Sequence, residues 1–134
     1  MPTIATEGSP NIVVVMNESF SDLTTYLEGC ETSTDPMPYV RSLMKRGDVV
    51  SGTCAVSSDM GTGTANSEFE FLTGNSMAYF KGNTPYVQFI DTETPSLASL
   101  LAGRGYSTMA MHAYERAGYN RAKVYDRLGF ETYK

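Results

Sequence analysis

One histidine, two cysteines and no tryptophan stand among the 134 residues. A structural zinc site takes four Cys or His ligands, so this scarcity excludes one built from this chain alone. Basic residues are also few: 10 Lys and Arg against 15 Asp and Glu leave a net charge of −5. Nucleic acid needs Lys/Arg stripes opposite its phosphates, and none is present. No apolar run approaches the roughly 18 residues of a membrane span, and nothing at the start reads as a signal peptide. Repeats, low-complexity tracts and charge blocks are missing as well. What remains, 41% apolar and 19% charged, is the composition of a folded globular protein of about one domain.

Cys30 and Cys54 lie far apart and form no CxxC, so a disulfide and two separate thiols both stay open. Residues 1–10 (MPTIATEGSP) read as a linker or chain edge closed by Pro10. Residues 12–16 (IVVVM) form an unbroken apolar run of strand length, which predicts a strand buried on both faces. Met37, Val40, Leu43 and Met44 recur at helical spacing within 36–45, with Gly47 as the stop. Residues 49–56 read as a second strand. A Gly/Thr/Ser-rich turn, 57–64, then leads into the helix ANSEFEFL, ended by Gly74. Thr94 reads as a helix cap with Pro95 at the first helical position. Leu97, Leu100 and Leu101 give that helix its apolar stripe, and Gly103 or Gly105 ends it. Residues 106–111 read as a short strand running into His112, and 121–128 as a last helix with Gly129 behind it. Strands alternating with helices predict an α/β layer with a mainly parallel sheet.

In open α/β sheets, ligands sit beyond the carboxyl ends of the strands. Here those ends carry Glu18, the 57–64 loop and His112. Glu18 suits a hard divalent cation, which favours oxygen donors, and equally suits a helix-entry or solvated acid. Thr64 follows Gly61-Thr62-Gly63 at a helix start, where backbone donors favour an anion; it is a candidate nucleophile and also an ordinary cap. The loop is neither a P-loop nor a dinucleotide fingerprint, lacking the Gly-Lys-Ser/Thr and the third glycine. Arg121 could grip a phosphate bidentately or serve as a solvated helix-start charge, and His112 could be catalytic or a plain surface residue.

Taken together, residues 11–23 (NIVVVMNESFSDL), 63–77 (GTANSEFEFLTGNSM), 94–101 (TPSLASLL) and 109–130 (MAMHAYERAGYNRAKVYDRLGF) resemble the lipoteichoic acid synthase and phosphoglycerol transferase branch of the sulfatase superfamily. The resemblance implies an alkaline-phosphatase-like, Rossmann-like layered α/β fold, of which residues 11–134 would be the N-terminal portion. It implies that Glu18 and Thr64 bind a divalent metal, Mn2+ or Mg2+, and that Thr64 is the nucleophile. It also implies that His112, Arg121 and Tyr119 surround the glycerol phosphate; Tyr119 stands where these synthases usually carry Trp. The family completes its metal site with an Asp-His pair in the second half of the domain, which this chain lacks. The expectation is therefore a fragment of a larger extracellular domain, inactive in isolation, from a bacterial membrane protein of Gram-positive type, anchored through segments absent here.

The implied activity is transfer of glycerol phosphate from a phosphatidylglycerol-like head group to a cell-envelope polyol or glycan. The rival readings are a sulfatase or phosphatase on the same scaffold, and a non-catalytic binding module. Classical sulfatases use Cys/Ser-x-Pro-x-Arg, which Thr64-Ala65-Asn66-Ser67-Glu68 does not fit. A half-domain would also expose the face that its missing half covers, inviting dimerisation.

Overall fold

The computed structural model describes residues 8–17, 19–49, 63–80 and 82–134. It divides into a smaller unit, Asn17–Val56, and a larger one made of Met1–Met16 and Ser57–Lys134.

In the smaller unit, the Asp22 carboxylate caps α1 (Leu23–Tyr26) by accepting the Thr24 N–H at 3.2 Å. The same carboxylate pairs with Arg41 of α2 (Pro38–Leu43), whose guanidinium also reaches Asp35 at 2.8 Å. Hydrogen bonds from Thr24 and Arg41 hold the Asp22 carboxyl down at about 2. Pro38 opens α2, where its missing N–H costs nothing. The helix ends at Met44 in right-handed backbone, three residues before the glycine expected to stop it.

The larger unit is built on α3 (Thr64–Thr73). Ala65, Phe69 and the half-buried Leu72 form its inward stripe, and Gly74 closes it in left-handed backbone at φ 71°, as the sequence predicted. After α3 come a 3-10 turn at Met77–Tyr79 and the short α4 (Pro85–Gln88). The next helix, α5 (Leu97–Ala102), departs from expectation at its start. Its cap is Ser96, not Thr94, because Ser96 and Ser99 form a reciprocal capping box: each side chain accepts the other's backbone N–H, at 2.9 and 3.2 Å. Two donors satisfied together outweigh the one that Thr94 could satisfy. The Thr94 N–H instead donates to the Arg127 carbonyl at 2.9 Å.

A miniature βαβ unit completes this part of the chain. β1 (Met109–Ala110) and β2 (Thr132–Tyr133) pair in parallel, Met109 with Thr132 and Ala110 with Tyr133, and α6 (Arg121–Arg127) lies between them in sequence. The strand expected over 106–111 is thus trimmed to its centre, and β2 was not foreseen. Tyr86, Val124 and Leu128 are fully buried, and Tyr125 packs edge-on against Tyr86, Phe130 and Tyr133.

The apolar run 12–16 overturns a second expectation. Its residues form no strand and are exposed, Val13 at 83%. A strand needs a hydrogen-bonded neighbour to cover its backbone, and among the described residues only β1 and β2 make a ladder. The second strand expected at 49–56 lies, from residue 50 onward, outside the described residues, as do Glu18 and Cys54.

Gly129, just after α6, lies against Ser99 of α5. Its φ is +86°, and a Cβ there would lie 2.8 Å from Ser99 Cβ and 3.0 Å from Ser99 Cα. Backbone strain and collision with a capping residue add, so Gly129→Ala is expected to destabilise the protein by about 2–5 kcal/mol. Urea unfolding measures this loss, and a change below about 0.5 kcal/mol would show that α5 does not sit on Gly129.

Candidate functional site

Thr64 is the first residue of α3, and the cap ahead of it is Gly63, at φ 95°, with no side-chain cap bond. The ordinary-cap reading of Thr64 therefore gives way: Thr64 is half-buried and stands at the positive end of a helix of 10 residues. Thr64 lines a cleft of about 540 Å3, together with Glu68 one turn further along α3 and with His112 just after β1. Most of the wall is apolar, including Val13, Leu101 and Phe130. The exposed run 12–16 thus borders this cleft.

His112 is fixed at two points. Its backbone N–H donates to the Lys134 carbonyl at 3.1 Å, continuing the β1–β2 pairing. Its ring Nδ1 accepts the Tyr114 N–H at 3.1 Å, which leaves Nε2 to carry the proton of the neutral imidazole.

Tyr119 and Asn120 adopt left-handed backbone in succession, at φ 52° and 60°. For residues other than glycine this costs on the order of 1–3 kcal/mol each, a cost that clusters at functional sites. The turn lays the Tyr119 ring 5.1 Å from the Arg121 guanidinium carbon. It also places the Tyr119 hydroxyl 2.7 Å from where a Cβ on Gly63 would be. Gly63 is thus required twice, for its positive φ and for its closeness to Tyr119.

Arg121 is not a solvated helix-start charge. Its side chain is 1% exposed and meets Glu68, with Nη2 donating to Oε1 at 2.8 Å and Nε to both carboxylate oxygens at 3.3 Å. Tyr125 donates its hydroxyl to Oε2 of the same carboxylate at 2.8 Å. Burial works against the Arg121 charge, but the hydrogen bond and charge of Glu68 outweigh it, and its pKa is raised. Burial, and then the Glu68 charge, push the Tyr125 phenol above its ordinary value, so it stays a neutral donor.

Sequence reasoning missed Glu68 and Tyr125, although a signal for the pair was there. Glu68 falls on the inward stripe Ala65, Glu68, Phe69, Leu72, and Arg121 on the stripe Arg121, Val124, Tyr125, Leu128. A charge on an apolar stripe requires a partner, and each of these is the other's.

A divalent cation needs several oxygen or nitrogen donors. The cleft offers the Thr64 hydroxyl, the His112 ring and a Glu68 carboxylate already engaged by Arg121 and Tyr125. Among the described residues, no three His, Cys, Asp or Glu side chains gather to hold a metal, and Glu18 lies outside them. The described donors alone do not make a divalent-metal site.

Residues 10–134 match the family model described as Sulfatase. The chain is 39% identical over 128 residues to a putative cyclic beta-1,2-glucan modification protein of Rhizobium meliloti, covering 95% of this chain and 19% of that protein. Its structure resembles the crystal structure of the lipoteichoic acid synthase LtaP from Listeria monocytogenes. That likeness has a TM-score of 0.52 and 25% identity, over 57% of this chain and 18% of that one. The chain therefore spans about a fifth of the length of the relatives it matches.

Proposed function

The chain belongs to the sulfatase family, and from that premise we propose that it carries the nucleophile end of a glycerol-phosphate transferase active site. The observation that carries the reading is Thr64, at the positive end of α3 and on the same cleft as His112. The likeness to a lipoteichoic acid synthase supports a phosphatidylglycerol-like donor. The 39% identical relative, by its name, supports a glycan hydroxyl as acceptor.

In this reading the Thr64 Oγ–phosphorus bond forms as the bond from phosphorus to the diacylglycerol oxygen breaks. The threonine proton ends on the departing diacylglycerol. An acceptor hydroxyl then attacks the glycerophosphoryl-threonine, and Thr64 recovers its proton. The end of α3 offers backbone N–H groups to the nonbridging oxygens. His112, with Nε2 protonated, donates to glycerol or phosphate, while Tyr119, with the buried Arg121 behind it, flanks the group from the α6 side. Glu18 and Thr64 would hold Mn2+ or Mg2+ with ligands from outside this chain, as the superfamily's general metal dependence suggests. The protein would work at the cell envelope; among the described residues no helix is long and apolar enough to cross a membrane.

The test is an assay on the natural full-length protein with phosphatidylglycerol labelled in its head-group glycerol and a cyclic glucan acceptor. The expected result is diacylglycerol release with label on the glucan. Label found only as free glycerol phosphate would make the protein a hydrolase. Cleavage of an aryl sulfate with phosphatidylglycerol untouched would make it a sulfatase.

A further inference from the structure

We propose that Glu68 is a positioning residue of this site, orienting Arg121 and, through it, the Tyr119 ring over the start of α3; the proposal rests on the transferase reading. The contacts form one continuous series. Glu68 takes the Nε–Nη2 edge of Arg121. The Gly118 carbonyl accepts from Nη1 at 3.4 Å, on the opposite edge. With both edges engaged, the guanidinium carbon lies over the Tyr119 ring, 5.1 Å from its centre. The Tyr119 hydroxyl then fills the space over Gly63, next to Thr64.

Each link restricts the next. Arg121 is buried and cannot swing to solvent for an alternative partner. Tyr119 is held in left-handed backbone that an unconstrained tyrosine would leave. Glu68 and Thr64 lie on one helix, four residues apart, so a shift of α3 moves the nucleophile and the Arg121 anchor together. A pair serving stability alone would need neither the strained turn nor an aromatic ring fitted against the glycine before Thr64. Glu68 touches no substrate in this account; it sets where Arg121 and Tyr119 stand when one binds.

The test compares the full-length protein with Glu68→Gln and Tyr125→Phe. Tyr125→Phe removes one hydrogen bond from the same carboxylate and leaves its bonds to Arg121 in place. At a temperature where urea unfolding shows all three folded, Glu68→Gln is expected to lower kcat/KM for glycerol-phosphate transfer by about tenfold or more, mostly through kcat. It should also shift the ring resonances of selectively labelled Tyr119. Tyr125→Phe should change kcat/KM by less than about twofold and leave Tyr119 in place. If Glu68→Gln does not fold, Glu68→Asp, which keeps the charge one methylene short, replaces it under the same expectations. Unmoved Tyr119 resonances with parental kcat/KM in a folded Glu68 variant would reduce the pair to a structural one and overturn the proposal. If even the parent protein transfers nothing, the transferase reading fails, and the Tyr119 resonances alone decide whether Glu68 positions that ring.

Discussion

Replacing Thr64 with alanine is expected to cut diacylglycerol release by about 10⁴-fold or more, to background, while leaving the protein folded. The two effects separate because of where Thr64 stands. As the first residue of α3 it does not cap the helix; Gly63 does, through its backbone. Alanine is the better helix former by a few tenths of a kcal/mol, which favours a folded variant. A residue that merely binds substrate would cost far less on truncation, about 10–100-fold by losing one or two hydrogen bonds. Thr64→Ser keeps the hydroxyl and should keep most of the rate. Transfer at the parental rate in Thr64→Ala would remove Thr64 as nucleophile.

Loss of Arg121 should be the largest blow to the fold. Arg121→Met strands the Glu68 carboxylate in the core without its cation, and breaking a buried pair this way costs about 3–5 kcal/mol. The double variant Arg121→Met/Glu68→Leu removes both charges and replaces them with apolar volume. It should recover much of that loss, because the cost lies in the orphaned charge and not in the missing attraction. Urea unfolding of the parent, both single variants and the double variant closes the cycle. Additive single losses would mean that the pair is solvated in solution, contrary to its burial.

Both charges show how much of the site could be read from the chain. Thr64, His112, Tyr119 and Arg121 were named from motif order, and the structure puts Thr64 and His112 on one cleft and Tyr119 beside Gly63. For Arg121 the sequence left open a phosphate grip and a solvated helix-start charge, and its burial removes the second. Its position on the stripe of Val124, Tyr125 and Leu128 already required an internal acid, and the stripe of α3 supplied one.

The fold class was legible for similar reasons. A parallel sheet with a helical crossover was expected, and the β1–α6–β2 unit has it, in a chain with the sulfatase and alkaline-phosphatase-like fold. Helices were placed well where glycine left no alternative, at Gly74 and Gly129, both in left-handed backbone. Thr94 failed as a cap because two good candidates stood two residues apart, and only the Ser96–Ser99 reciprocity decides between them. β2 was missed because two residues carry no period. The run 12–16 was misjudged because apolar content measures only a readiness to be buried, and a ladder needs a partner that local sequence cannot name.

The most direct measurement of the central claim is peptide mass spectrometry on the full-length protein, quenched in acid after exposure to phosphatidylglycerol without acceptor. The account predicts a glycerophosphoryl group on the peptide that contains Thr64, absent from Thr64→Ala and discharged when acceptor is added. Diacylglycerol release that proceeds while Thr64 stays unmodified at every quench time would contradict it.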